Sequence, residues 1–227
     1  MIKDLHLDSY LEKYLRKNIT ETNAQKELRE FSFHTLGNVA NMQVTPEQAS
    51  FLNFLIKIGN YSNVLELGTF MGYSTLSMAL ALNPDGKIIT IDKDAKTAAY
   101  AIDFWKKAGV EQKIKLINED AKVSLNKFIN EGLLFDFIFI DADKSGYKTY
   151  FESSLSLITE NGLIVFDNVL WKDKVANPEI TDEKTEIIRE FNNYIKNDNR
   201  VDTTMISMMR WLITAKISVV ISLRAGA

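Results

Sequence analysis

Cysteine is absent from the 227 residues, proline occurs three times and histidine twice. Without cysteine there are no disulfides, no thiolate zinc ligands and no cysteine nucleophile, a composition compatible with a reducing compartment. Charge of one sign is also lacking, since 27 basic residues face 30 acidic ones. That balance creates no global field of the kind that draws a protein to nucleic acid, although a local basic patch stays open. No apolar run approaches the roughly 18 residues needed to span a bilayer. The start, Met1-Ile2-Lys3-Asp4-Leu5-His6, lacks the apolar core of a signal peptide. The expectation is a soluble, cytoplasmic protein with no membrane partner.

Hydrophobic residues make up 46% of the chain, enough at this length for one well-buried domain, and no low-complexity linker divides it. Residues 7–36 carry apolar positions at helical spacing, broken around Asn18 to Thr22, which predicts two helices. Asn38 to Val44 reads as a loop, and Thr45-Pro46-Glu47-Gln48 as an N-cap opening a helix to about Ile58. From Asn63 the pattern alternates. Strands are predicted at 64–67, 87–91, 113–118, 135–140 and 163–166, with helices at 74–82, 95–108, 123–130, 147–158 and 182–197. Such alternation implies βαβ crossovers and a buried parallel sheet. Asn83-Pro84-Asp85-Gly86, Ala108-Gly109 and Asn161-Gly162 read as turns, and 200–206 with 211–217 as a terminal hairpin.

The stretch with most chemistry is Val64-Leu65-Glu66-Leu67-Gly68-Thr69-Phe70-Met71-Gly72-Tyr73-Ser74, a strand, a glycine turn and a helix start. Glycine lets the turn approach a ligand closely, and the new helix offers unpaired N–H groups. A dinucleotide fingerprint needs G-x-G-x-x-G for its pyrophosphate, whereas here the spacing is E-x-G-x-x-x-G. Glu66 would repel a pyrophosphate and attract an ammonium or sulfonium, which points to S-adenosylmethionine and away from a nicotinamide dehydrogenase. An ordinary βα turn without ligand is the alternative.

In an open α/β sheet, ligands sit beyond the carboxyl ends of the strands. Five successive strand ends here carry acids: Glu66, Asp92, Asp120, Asp141 and Asp167. Converging carboxylates repel unless a cation or hydrogen-bond donors compensate. Asp92 stands where an acid can bind both ribose hydroxyls of an adenosyl group. Asp141, Asp167 and Asn168 are hard oxygen donors suited to Mg²⁺, Ca²⁺ or Mn²⁺, leaving room for two adjacent oxygens of a vicinal diol; helix capping is the competing role. Lys144, near such an ion in a partly dry cleft, would have its ammonium form disfavoured and could take a hydroxyl proton. Simple neutralisation of Asp143 is the alternative.

Four ordered motifs resemble a known family: 41–48, 64–74, Phe135-Asp136-Phe137-Ile138-Phe139-Ile140-Asp141-Ala142-Asp143-Lys144, and Asp167-Asn168-Val169-Leu170-Trp171. They look like the cation-dependent O-methyltransferases, the caffeoyl-CoA and catechol group with its bacterial relatives. The resemblance spans about residues 10–207. It implies a class I methyltransferase (Rossmann-like) α/β fold, with a mostly parallel seven-stranded sheet, an antiparallel last strand and a homodimer. The division would be 1–60 for N-terminal helices and a lid, 61–217 for the Rossmann-like core and 218–227 for an atypical tail, all within one methyltransferase domain. The resemblance further implies that Asp141, Asp167 and Asn168 hold the metal and that Lys144 is the base. It also implies cofactor contacts at Val44, Glu66, Gly68, Ser74, Asp92, Ala121 and Asp141.

Two departures stand out. The family commonly has two glycines after the tryptophan of the Asp-Asn motif, where this chain has Lys172-Asp173. Its last hairpin usually turns on Gly-Asp-Gly, where this chain has Ser207-Met208-Met209-Arg210-Trp211. The expected activity is methyl transfer from S-adenosylmethionine to a catechol-like, hydroxylated aromatic small molecule. Alternatives are a hydroxyuridine of tRNA as acceptor and a non-catalytic, dimeric cofactor-binding protein.

Overall fold

The computed structural model describes residues 9–207 and 217–223. At the amino end stand α1 (Ser9–Lys17) and α2 (Asn23–Leu36), separated where the helical spacing lapses. Helix α2 opens on a capping box, in which Thr22 and Gln25 satisfy each other's backbone N–H groups. The expected loop at 38–44 is largely a 3-10 turn, Gly37–Met42, entered through Gly37 at a φ of 54°. Helix α3 (Pro46–Gly59) repeats the capping box with Thr45 and Gln48, and proline fits its first turn, where no N–H is needed.

The alternating part follows as β1 (Asn63–Leu67), α4 (Tyr73–Ala79), β2 (Lys87–Asp92), α5 (Ala95–Ala99), α6 (Ala101–Lys107) and β3 (Ile114–Asn118). After these come α7 (Ala121–Glu131), β4 (Phe135–Ile140), α8 (Tyr147–Leu157), β5 (Ile158–Phe166), α9 (Glu183–Lys196), β6 (Val201–Ser207) and β7 (Ile217–Leu223). One seven-stranded sheet results, in the order β3-β2-β1-β4-β5-β7-β6. Strand β7 is antiparallel to both neighbours, and the other pairs are parallel. Because β1 lies between β2 and β4, the order reverses there, and the crevice beyond their carboxyl ends is the place for a ligand.

Side chains alternate across the sheet with the period of two that a strand imposes. Leu65, Leu67, Ile138 and Ile140 join one buried cluster with Leu125 and Phe128 of α7, Tyr147 and Phe151 of α8, and Phe191 of α9. Val64, Phe137 and Phe139 face the other way, into a cluster with Leu28 of α2, Leu52 of α3, Leu76 of α4 and Trp105 of α6. The sheet is therefore covered on both faces, as a parallel sheet requires. Among the described residues, no helix is long and apolar enough to cross a membrane.

Three expectations are corrected. The helix predicted over 95–108 is divided at Tyr100 into α5 and α6. Helix α8 runs directly into β5, so Asn161-Gly162 lies inside a strand, at a register shift against β4. The glycine there answers to close approach: a Cβ at Gly162 would stand 2.6 Å from Ile158 Cδ1 and 2.9 Å from the Asp136 carbonyl oxygen. The last strand is Ile217–Leu223, which takes in the final residue of the predicted strand and 218–223 of the supposed tail, and Ile217-Ser218-Val219-Val220-Ile221 is rich in β-branched residues. Residues 211–216 of the predicted strand lie outside the described residues.

Candidate active site

The glycine turn after β1 is pressed against the end of β4. Gly68 has a φ of 97°, and a Cβ there would collide with the Asp141 carbonyl oxygen. The Asp141 N–H in turn donates to the Leu67 carbonyl at 2.9 Å. Gly72 also takes the left-handed region, at a φ of 70°, against the Trp105 ring, whose Nε1 donates to the Gly72 carbonyl at 3.2 Å. Only glycine allows both the dihedral and the approach.

Glu66 lies on the same face of β1 as Val64, and its side chain is fully buried. Its carboxylate accepts from Ser74 Oγ and Thr90 Oγ1, each at 2.6 Å, and from Thr75 Oγ1. Burial pushes the Glu66 carboxyl up to about 7, against the lowering effect of these three hydroxyls. Glu66 thus ties β1 to β2 and to the first turn of α4, which fixes the cradle from behind. Asp92 closes it from the side: Oδ2 accepts from the Thr69 and Phe70 N–H groups at 2.9 and 2.8 Å, and Oδ1 from Asp94 N–H at 2.8 Å. A carboxylate has about four acceptor sites, so ribose binding by Asp92 would share oxygens already holding the turn.

Much of the carboxylate crowding at the rim is relieved by hydrogen-bond donors. Asp94 caps α5 and Asp120 caps α7 through backbone N–H groups. Asp141 and Asp167 need more, because they stand side by side at the ends of adjacent parallel strands, with Asp167 N–H donating to the Ile140 carbonyl at 3.0 Å. Lys144 Nζ lies 3.2 Å from Asp141 Oδ1, 3.1 Å from the Ala142 carbonyl and 2.7 Å from the Tyr147 hydroxyl. The buried Tyr147 hydroxyl donates onward to the Asp167 carbonyl at 2.5 Å. Asp167 is fully buried, and its Oδ1 accepts from Gln48 Nε2 at 2.9 Å and from Asn168 N–H at 2.8 Å. Asn168 is left-handed at a φ of 61°, a region asparagine tolerates better than most residues.

Opposing influences act on Lys144. Burial does pull its pKa down, but the Tyr147 oxygen and the Asp141 and Asp167 carboxylates outweigh it and raise the pKa above the ordinary lysine value. Lys144 is therefore held as an ammonium by the acids it neutralises, and its partner is Asp141; the tyrosine on Asp143 is Tyr150, whose hydroxyl donates to Oδ1 at a short distance. The donor set of Asp141, Asp167 and Asn168 suits a hard divalent cation: all three carry oxygen donors, and the Asp141 carboxylate already holds a positive charge, Lys144 Nζ, at 3.2 Å. Among the described residues no group of three or more histidine, aspartate or glutamate side chains could hold a metal ion.

The structure brings Glu66, Gly68, Ser74 and Asp92 together in the cradle, and Asp141, Lys144, Asp167 and Asn168 in a second group, joined where Gly68 touches Asp141. Val44 is buried against the α2–α4 side and precedes the cap whose Gln48 reaches Asp167. Ala121 opens α7 at the end of β3, two strands from β1. Sequence reasoning missed Tyr147, Gln48 and Thr90. The signal for Tyr147 was present, since it lies three residues after Lys144 at the start of α8, where an i, i+3 pair can meet.

A family model described as O-methyltransferase matches residues 16–216. The caffeoyl-CoA O-methyltransferase of Populus kitakamiensis is 40% identical over 210 residues, covering 86% of this chain and 89% of that protein. The flavonoid 3',5'-methyltransferase of Vitis vinifera is 37% identical over 211 residues, with the same coverage of 86% and 89%. Among solved structures, an O-methyltransferase from Bacillus cereus in complex with SAH superposes with a TM-score of 0.84 at 28% identity, over 94% of this chain and 97% of that one. With the glycine cradle and the mostly parallel sheet, these similarities establish that the chain belongs to the O-methyltransferase family and is an S-adenosylmethionine-dependent enzyme.

Proposed function

We propose that the enzyme transfers the S-adenosylmethionine methyl group to one hydroxyl of a catechol-like small molecule, assisted by a divalent cation held by Asp141, Asp167 and Asn168. The observation that carries this reading is the pair of adjacent carboxylates, Asp141 and Asp167, with Lys144 Nζ 3.2 Å from Asp141 Oδ1. A bound cation would supply charge to both carboxylates and lower the pKa of hydroxyl oxygens beside it. With Asp141 and Asp167 so compensated, Lys144 would release its ammonium proton to solvent more readily, and the neutral Nζ would be placed to take the acceptor's hydroxyl proton. Tyr147 holds that nitrogen in place. The cradle of Val44, Glu66, Gly68, Ser74, Asp92 and Ala121 would orient the sulfonium, so that the acceptor oxygen attacks the methyl carbon in line as the carbon–sulfur bond breaks, leaving S-adenosylhomocysteine. Positioning supplies much of the rate gain in such a transfer.

Labelled S-adenosylmethionine with a panel of catechols, in the presence and absence of EDTA, tests this. Label transfer to one catechol oxygen that stops on chelation and returns with Mg²⁺ is the expected result; transfer indifferent to EDTA overturns the metal assignment. Absence of transfer to every catechol overturns the acceptor class.

A further inference from the structure

The segment between β5 and α9 contains four residues other than glycine in left-handed backbone: Asn168 at φ 61°, Trp171 at 43°, Lys172 at 60° and Asp173 at 63°. A Cβ makes that region strained, and such conformations persist only where the surroundings over-determine them. The surroundings here are supplied by α9. Arg189 Nε donates to the Val175 carbonyl at 3.0 Å, Nη1 to the Ile180 carbonyl at 2.7 Å and Nη2 to the Lys174 carbonyl at 3.0 Å. Nη2 also reaches the Asn177 carbonyl, and Nη1 the Glu186 carboxylate one turn earlier on the helix. The five N–H donors of the guanidinium thus meet five acceptors, in a plane that a lysine ammonium cannot reproduce. Three residues further along the same face, Asn192 Nδ2 donates to the Val169 carbonyl at 2.8 Å.

We infer that Arg189, seconded by Asn192, is a positioning residue for the acceptor side of the site. Together they clamp the 168–180 loop at both ends, so that the segment from Val169 to Asp173 is held in one conformation directly after Asp167 and Asn168. The inference rests on the proposed function only in naming this the acceptor side. The clamp touches none of the cradle residues Glu66, Gly68, Ser74 or Asp92, and it therefore separates acceptor recognition from cofactor binding.

The test uses the full chain with R189A, R189K and N192A. Lysine-specific proteolysis, mapped by mass spectrometry, reads opening of the loop at the exposed Lys172 and at Lys174, and calorimetry reads S-adenosylhomocysteine affinity. In R189A, cleavage at these two lysines should rise at least about tenfold, because proteolysis follows the population of the open form. S-adenosylhomocysteine affinity should stay within about twofold of the parent. R189K should lie between, N192A should open the loop less than R189A, and added guanidinium ion should restore protection to R189A. With 3,4-dihydroxybenzoate as acceptor, its KM should rise about tenfold while the KM for S-adenosylmethionine is unchanged. Unaltered cleavage in both R189A and R189K overturns the clamp, as does a loss of S-adenosylhomocysteine affinity in step with cleavage, which indicates general destabilisation. If R189A fails to fold, R189K and N192A carry the same comparison. Failure of every catechol to react would instead count against the proposed acceptor, because the proteolysis and calorimetry need no acceptor.

Discussion

The Gln48 side-chain amide donates to Asp167 Oδ1 at 2.9 Å across 119 residues of sequence. The same side chain accepts from the Thr45 N–H at 2.9 Å as half of a capping box. One residue therefore caps the start of α3 and orients a carboxylate at the candidate metal site. Groups that hold a metal ligand in place typically contribute about 10- to 100-fold to metal affinity. Q48A should weaken Mn²⁺ binding, followed by electron paramagnetic resonance, by about tenfold. Its unfolding free energy should fall by about 1 kcal/mol from the lost cap. Unchanged Mn²⁺ affinity with the same fall in stability would reduce Gln48 to a capping residue.

Tyr147 is the corresponding support for Lys144. Its buried hydroxyl receives a hydrogen bond from Nζ at 2.7 Å and donates to the Asp167 carbonyl. Y147F keeps the ring, which packs edge-on against Phe166 and Phe191, and removes only that bridge. A loss of about 1–3 kcal/mol in unfolding free energy is expected. Lowered kcat with little change in the KM for S-adenosylmethionine should accompany it, measured by steady-state methyl transfer.

How far the sequence already contained this arrangement depends on the range of each interaction. The strand ends were legible, because a buried parallel strand must be apolar until it emerges at its ligand-facing end. Glu66, Asp92, Asp141 and Asp167 could therefore be placed within a residue or so of their observed positions. The cap at Thr45 was legible for the same local reason. Contacts between distant segments were not: nothing near Gln48 announces Asp167, and nothing near Arg189 announces the carbonyls of Val175 and Ile180. The break at Tyr100 and the passage of Gly162 through β5 also escaped, since both are decided by packing against neighbours and not by local propensity.

Glu66 makes a pH-dependent contribution to stability whose sign can be worked out. Its pKa is raised by burial to about 7 in the folded protein, above the ordinary glutamate value in the unfolded chain. The folded state therefore binds more protons between those two values, and stability falls as pH rises through that window. The fall attributable to this group is on the order of 3 kcal/mol and is complete above about pH 8. Thermal unfolding of E66Q across pH 5 to about pH 8 should lack this slope, because glutamine does not titrate there. An identical slope in parent and variant would assign the effect to another group.

Glycine normally costs stability when it replaces another residue, by loosening the unfolded chain. At Lys172 the opposite force is present, because a φ of 60° strains any residue with a Cβ by about 1–2 kcal/mol. K172G should therefore be neutral or stabilising by up to about 1 kcal/mol in denaturant unfolding, once the entropic cost of glycine is set against the relieved strain. K172V should be destabilising, since a β-branched side chain tolerates the left-handed region least. The comparison isolates the backbone, as Lys172 is exposed and its side chain makes no described ion pair. A clear loss of stability in K172G, equal to that of glycine at an ordinary loop position, would mean that residue 172 does not hold the left-handed conformation in solution.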